Sequence, residues 1–155
     1  QAMDFADIDV TKLVWSVEHQ LKEGLFRGRA IEVSVKPLPS ARADRVLAMQ
    51  IFTNLISNAM KFTARKEKAL IEIGSYDKEG ECVYYVKDNG SGFDMKYADK
   101  LFGVFQRFHT QEEFKGTGIG LAIVRSAVGR HGGKVWAESE PGQGATFYFT
   151  LPKGG

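Results

Sequence analysis

KGTGIGLAIV, residues 115–124, carries three glycines at every second position, followed by an apolar run that is predicted to be helical. Glycines ahead of a helix let the backbone approach a phosphate. The dinucleotide fingerprint needs Gly-x-Gly-x-x-Gly directly after a strand, but here the spacing is Gly116-x-Gly118-x-Gly120 after the polar TQEEFK. The Walker ending Gly-Lys-Ser/Thr is also absent. Both folds are disfavoured, and the stretch predicts either an anion-binding helix start or a mobile hinge.

The composition is that of one globular domain. The chain has 155 residues, of which 43% are hydrophobic and 26% charged, and its net charge of +2 argues against nucleic acid as a partner. The single cysteine, Cys82, forms no internal disulfide and favours a reducing compartment. No apolar run approaches the length that spans a bilayer, so we expect a cytoplasmic domain without membrane contact.

Periodicity predicts short strands interspersed with helices. The predicted strands are residues 4–10, 30–36, 69–76, 82–87, 134–140 and 145–152. The predicted helices are residues 11–26, a long one that Asp44 caps and that runs to about residue 62, a short one at 95–102, and one that ends near residue 130. Residues 37–42 are predicted to form a turn, and residues 77–81 and 141–144 to close hairpins. These elements indicate a mixed sheet with helices.

The long helix carries polar side chains on its apolar side. Asn54, Asn58 and Lys61 are spaced i, i+4 and i+7, which places them on one stripe with Leu47 and Ile51. Burying two amides and a cation there is costly unless partners satisfy them, and a bound ligand is one such partner. Solvent exposure, or bonds from the asparagines to neighbouring backbone, is the alternative.

DNGSGFD, residues 88–94, follows a predicted strand directly. The Asp88 carboxylate, beside Gly90 and Gly92, can accept a hydrogen bond from an exocyclic amine such as that of adenine, whereas guanine presents an oxygen there. A hairpin turn is the alternative, because Asp-Asn-Gly is a strong turn signal. Thr146 lies in the last predicted strand, on the opposite face from Phe147.

Five segments occur in an order that resembles the ATP-binding catalytic domain of sensor histidine kinases. Their amino-acid sequence is most similar to that of phytochrome-like sensor kinases. They are NLISNAMKFT, DNGSGFD, LFGVFQRF, GTGIGLAIV and GQGATF. The family also includes the gyrase, heat-shock chaperone and mismatch-repair ATPases. The resemblance implies an α/β two-layer sandwich, the Bergerat fold, with a mixed, mostly antiparallel sheet packed on helices. It covers nearly the whole chain and implies a single domain over residues 1–155.

The resemblance also implies cofactors and catalytic residues. ATP and Mg²⁺ are expected, with Asn58 supplying an amide oxygen to Mg²⁺, Asn54 lining the same site and Lys61 contacting phosphate. Asp88 would bind the adenine amine, with Thr146 supporting that network through water.

Further binding residues are implied at the glycine segments. Gly90 and Gly92 would let the backbone pass under the base, Arg107 would contact phosphate or a partner domain, and Phe102 and Phe105 would hold the base of a lid. The lid's C-terminal anchor would consist of Lys115, Gly116, Thr117, Gly118, Ile119, Gly120 and Leu121.

One position of the resemblance favours a kinase. Gyrase-type and chaperone-type hydrolases carry a water-activating glutamate four residues before the Mg²⁺ asparagine, where this chain has Asn54, an amide that takes no proton near neutral pH. Phosphoryl transfer to a histidine, and onward to a response-regulator receiver domain, is therefore expected. A nucleotide-binding module without kinase activity and an anti-sigma-type serine kinase remain alternatives.

The acceptor histidine is not identified in this chain. His19, His109 and His131 do not match the family's phosphorylatable motif. We expect the histidine on a separate dimerisation domain, N-terminal in the parent protein, and little or no autophosphorylation by this domain alone.

Overall fold

The computed structural model describes residues 2–97, 102 and 118–155. Predicted site residues Arg107, Lys115, Gly116 and Thr117, with Phe105 and His109, lie outside these residues. The strands are β1 (Phe5–Ile8), β2 (Ile31–Val35), β3 (Ala41–Asp44), β4 (Ala69–Lys78), β5 (Glu81–Asp88), β6 (Val135–Ser139) and β7 (Ala145–Leu151). The helices are α1 (Val10–Glu23), α2 (Arg45–Phe62) and α3 (Gly118–Arg130), with a 3₁₀ turn at Met95–Tyr97.

The main sheet has the order β2-β4-β5-β7-β6. Strands β2 and β4 are parallel, and the other neighbours in this sheet are antiparallel. Hairpin β4–β5 turns at Glu79 and Gly80, which both have positive φ, the conformation that a two-residue hairpin turn needs. The prediction of a mixed, mostly antiparallel sheet packed on helices is confirmed.

One face of this sheet forms the core with the helices. Tyr84, Phe149 and Phe52 of α2 are fully buried, and the Phe52 ring packs edge-on against Tyr84 and Phe149 at 6.1 and 5.2 Å between ring centroids. Because side chains alternate along a strand, Tyr85 and Tyr148 lie on the opposite, more exposed face. The inner face of β5 ends at Asp88.

Three predicted elements differ from the structure. Residues 41–44, of which 41 and 42 are predicted to lie in a turn, form strand β3, because their backbone pairs antiparallel with the distant strand β1. Helix α1 ends at Glu23 rather than residue 26, because the backbone of Gly24, with φ −110° and ψ −105°, leaves the helical conformation while its amide still donates to Gln20 O. Of the short helix expected at 95–102, the described part forms a 3₁₀ turn.

The start of α2 is fixed by its predicted cap. The Asp44 carboxylate accepts hydrogen bonds from the amides of Asp4 and Leu47, at 3.0 and 3.1 Å. These backbone donors, the Asp4 amide first, lower the pKa of Asp44 from its usual value. Within the described residues, no helix is both long and apolar enough to cross a membrane.

His131 ties the end of α3 to the start of α2. Its Nε2 accepts a hydrogen bond from the Asp44 amide at 3.0 Å, so Nδ1 carries the proton and donates to Ala127 O at 2.7 Å. The ring is buried and packs edge-on against Phe5. The prediction that this helix ends near residue 130 is confirmed, and the His131 side chain contacts three elements.

Replacing His131 with alanine should therefore lower the free energy of unfolding by about 2 kcal/mol, because the half-buried Asp44 amide and the buried Ala127 carbonyl both lose a partner. The matched control is His19→Ala on the exposed face of α1, which should change stability by less than about 0.5 kcal/mol. Urea denaturation measures both, and equal effects would contradict this account of His131.

Candidate nucleotide-binding site

The second half of α2 holds the asparagine stripe. Asn58 is 2% exposed, and its Nδ2 has no hydrogen-bond partner within the described residues. Asn54 is partly buried, and its Nδ2 donates to Gln50 O at 2.7 Å. A hydrogen bond to the backbone therefore satisfies Asn54 Nδ2, whereas Asn58 Nδ2 is neither exposed to solvent nor paired within the described residues. A buried amide group without a partner is costly, which is the expected mark of a ligand site.

Asp88 ends the inner face of β5. It is 4% exposed, and its Oδ1 accepts a hydrogen bond from the Gly90 amide at 2.8 Å. Burial raises its pKa to about 6, against the lowering effect of the Gly90 and Ala145 amides. Near neutral pH this side chain is thus a buried carboxylate that can accept a further hydrogen bond.

The loop after Asp88 presses against the end of α2. The Ser91 amide donates to Phe62 O at 3.1 Å, and a Cβ at Gly90 would lie 2.4 Å from that carbonyl oxygen. Only glycine allows this approach. The loop joins the asparagine helix directly to the segment that carries Asp88.

The same loop also contacts hairpin β6–β7. Gly92 has a φ of +66°, and a Cβ there would lie 2.2 Å from Glu140 O. The Ser139 hydroxyl accepts from the Phe93 amide at 2.8 Å and donates to Gly144 O at 2.7 Å. Packing of the protein itself therefore requires glycine at positions 90 and 92, independently of any contact with a bound base.

Thr146 and Asp88 project from opposite faces of the sheet. Asp88 pairs across the ladder with the buried Ala145, whereas Thr146 pairs with Lys87 and Glu138 on the outer face. Both residues border a cleft of about 400 Å³ at these strand ends. The structure thus brings Ala145, rather than the Thr146 side chain, next to Asp88.

The start of α3 lies beside the asparagine stripe. A Cβ at Gly120 would lie 2.9 Å from Asn54 Oδ1, so the glycine segment and the helix meet at this point. Gly118 and Ile119 belong to the first turn of α3, and Leu121 is fully buried. Phe102 is buried, with its ring edge-on to Phe147 at 6.1 Å.

These side chains fit the expected Mg²⁺ and ATP. Rotating the Asn58 amide by half a turn about its last torsion presents Oδ1 instead of Nδ2, and an amide oxygen is a hard ligand suited to Mg²⁺. Among residues 2–97, 102 and 118–155, no three acidic, histidine or cysteine side chains lie together so that they could hold a metal ion. Mg²⁺ bound through one protein oxygen and the phosphates matches its usual mode.

Sequence reasoning missed two residues that support the site. Ser139, at the end of β6, joins the glycine loop to the hairpin, and a lone serine at a strand end carries no signal of that role. Arg29, in the loop after α1, donates to the Met60 and Thr63 carbonyls at the end of α2. That pairing joins distant parts of the chain and has no local pattern.

Comparison with known proteins places this site in a family. Residues 43–155 match the family described as Histidine kinase-, DNA gyrase B-, and HSP90-like ATPase. The whole chain is 41% identical to Cyanobacterial phytochrome A of Nostoc sp. strain PCC 7120, of which it covers 20%. Over 146 residues, 94% of this chain, it is 41% identical to Phytochrome-like protein Cph1 of Synechocystis sp. strain PCC 6803, of which it covers 19%.

Solved structures agree with the sequence relatives. The catalytic domain of histidine kinase ThkA superposes with a TM-score of 0.80 at 29% identity, covering 97% of both chains. Full-length ShkA in complex with AMPPNP superposes with a TM-score of 0.79 at 29% identity, over 99% of this chain and 32% of that one.

The chain belongs to the histidine kinase-, DNA gyrase B- and HSP90-like ATPase family, and its relatives within it are phytochrome-like and other sensor kinases. The prediction of a histidine kinase catalytic domain with the Bergerat fold is confirmed. The chain spans about a fifth of the length of the first two curated relatives.

The raised pKa of Asp88 predicts a specific pH dependence of stability. Because the native state holds the Asp88 proton more tightly than the unfolded chain, with a pKa of about 6 against 3.8, the contribution of Asp88 to stability increases as the pH falls from 7 to 4. Relative to Asp88→Asn, the gain in the free energy of unfolding should reach up to about 3 kcal/mol. Denaturation of both proteins at several pH values measures it, and a constant difference between them would contradict burial as the cause.

Proposed function

We propose that the domain binds Mg²⁺·ATP and transfers the γ-phosphoryl group to a histidine on a separate dimerisation domain of its parent protein. That domain lies N-terminal in the parent, which is a sensor kinase acting in the cytoplasm, and the phosphoryl group then passes to the receiver domain of a response regulator. The present chain, as a single domain over residues 1–155, binds the nucleotide and autophosphorylates little or not at all in isolation.

The identity and contacts of Asn54 carry this proposal. Asn54 lies one turn before Asn58, its Nδ2 donates to Gln50 O, and its Oδ1 lies near Gly120. A hydrolase needs a base here that accepts a proton from water, and an amide does not accept one near neutral pH. The site is therefore suited to hold ATP for an acceptor that another domain supplies.

Different side chains of the proposed site bind different parts of Mg²⁺·ATP. The Asp88 carboxylate accepts a hydrogen bond from the adenine amine, beside its buried cross-strand neighbour Ala145. Asn58 holds Mg²⁺, while Lys61, in the last turn of α2, contacts phosphate as a cation. When bound, Mg²⁺ neutralises the charge that develops on the phosphates. The structure of full-length ShkA in complex with AMPPNP, part of which resembles this chain, supports nucleotide binding by this domain.

The lid and its neighbours complete the proposed site. Arg107, Lys115, Gly116 and Thr117 stay predictions as nucleotide contacts, and Gly118, Ile119, Gly120 and Leu121 extend that segment into α3. Thr146 stays a candidate support for the adenine site through its backbone and the shared cleft, since its side chain faces away from Asp88.

Asp88→Asn tests the adenine half of the site. The asparagine oxygen can still accept from the Gly90 amide, but an NH₂ replaces the second acceptor, so ATP and ADP affinity should fall on the order of tenfold to a hundredfold. Isothermal titration of wild type should show ATP bound and GTP bound far more weakly. Asp94→Asn, in the same loop but exposed, is the matched control and should bind as wild type does. Equal affinity of wild type for GTP and ATP would refute the proposed recognition of adenine.

Asn58→Ala tests the metal half. It should abolish most of the increase in ATP affinity that Mg²⁺ provides, because the protein ligand to the ion is removed. Titrations with Mg²⁺ and with EDTA measure that increase, and Asn54→Ala, one turn earlier, should retain more of it. An unchanged Mg²⁺ dependence in folded Asn58→Ala would show that the metal is held elsewhere.

A further inference from the structure

The carbonyl groups in the last turn of α2 have no amide partner inside the helix, so their hydrogen-bond donors come from elsewhere. The Thr63 hydroxyl, itself fully buried, donates to Ala59 O at 2.9 Å and lies 3.0 Å from Met60 O. Phe62 O accepts from the Ser91 amide. The amides of Ala64 and Lys66 donate to Lys61 O and Thr63 O. A further donor comes from outside both the helix and the glycine loop: it is the guanidinium group of Arg29.

Arg29 binds the end of α2 from the loop between α1 and β2. One guanidinium nitrogen donates to Met60 O, and the other donates to Thr63 O at 3.0 Å. The group also lies over the Phe26 ring, 6.0 Å from its centroid. A forked cation suits two carbonyls at once, and a positive charge is favourable at the negative end of a helix dipole.

The turn of α2 that Arg29 contacts carries the residues proposed to bind Mg²⁺ and phosphate. Lys61 follows Met60 directly, and Asn58 lies two residues before it, so a shift of the Met60 carbonyl moves both side chains. The adenine end is anchored separately, because Asp88 lies in the β5–β7 ladder and accepts from the Gly90 amide.

We infer that Arg29 is a positioning residue for Mg²⁺·ATP: its two hydrogen bonds to the end of α2 hold Asn58 and Lys61 against the phosphates. This role rests on the proposed nucleotide site and adds to it a residue that touches neither nucleotide nor metal. It makes the loop between α1 and β2 part of the phosphate-binding structure.

The test compares Arg29→Gln, Arg29→Lys and Arg27→Gln with wild type. Arg27 is an exposed arginine two residues away in the same loop, so its replacement makes the same charge change without touching α2. Affinities for Mg²⁺·ATP and for adenosine, which has no phosphate, are measured by titration and competition well below each protein's unfolding temperature.

Arg29→Gln should weaken Mg²⁺·ATP binding on the order of tenfold and adenosine binding less than about twofold, because charge-assisted hydrogen bonds at the phosphate end are lost. Arg29→Lys keeps the charge but not the fork, so it should recover part of the loss. Arg27→Gln should bind both ligands as wild type does.

Other outcomes overturn the inference in distinguishable ways. A lowered unfolding temperature of Arg29→Gln with unchanged affinity for Mg²⁺·ATP, or equal losses for both ligands, would show a role in stability alone and leave the proposed function standing. Failure of folded wild type to bind either ligand would refute the proposed function and the role of Arg29 with it.

Discussion

The end of α2 is the point on which the rest of the site depends. Phe62 O accepts from the Ser91 amide, and Gly90 lies so close to that carbonyl that any side chain there would collide with it. On the other flank, Arg29 binds the neighbouring carbonyls. The glycine loop that follows Asp88 and the turn that carries Lys61 thus meet at one stretch of backbone, while Asp88 itself is held by the β5–β7 ladder.

The site is held together at a cost to stability. Asn58 and Asp88 are 2% and 4% exposed, yet Asn58 Nδ2 has no partner among the described residues and burial raises the pKa of Asp88 to about 6. A core built for stability alone would place apolar side chains at both positions. A ligand that pairs with these groups offsets the cost, which means that nucleotide binding should be strongly linked to folding stability.

Local patterns predicted the elements whose signals are local. The Asp44 cap, the glycine turn of β4–β5 and the stripe of Asn54 and Asn58 all follow from residue type and spacing, and the structure contains each of them. Strand β3 was missed because its pairing with β1 joins distant segments. Arg29 escaped detection for the same reason. The predicted facing of Thr146, opposite to Phe147, is confirmed, but its pairing with Lys87 instead of Asp88 depends on strand register, which joins distant segments.

The proposed distinction between ATP hydrolysis and phosphoryl transfer depends on one side chain, Asn54. The sheet, the Asp88 acceptor and the end of α2 suit any nucleotide-binding member of the family, so fold alone does not distinguish hydrolysis from transfer. At position 54, an amide donates to Gln50 O and turns its oxygen toward the first turn of α3, which Gly120 leaves open. Because that amide takes up no proton, it supplies no base to activate water. The proposed transfer to an acceptor on a partner domain, rather than hydrolysis, therefore rests on the chemistry of Asn54.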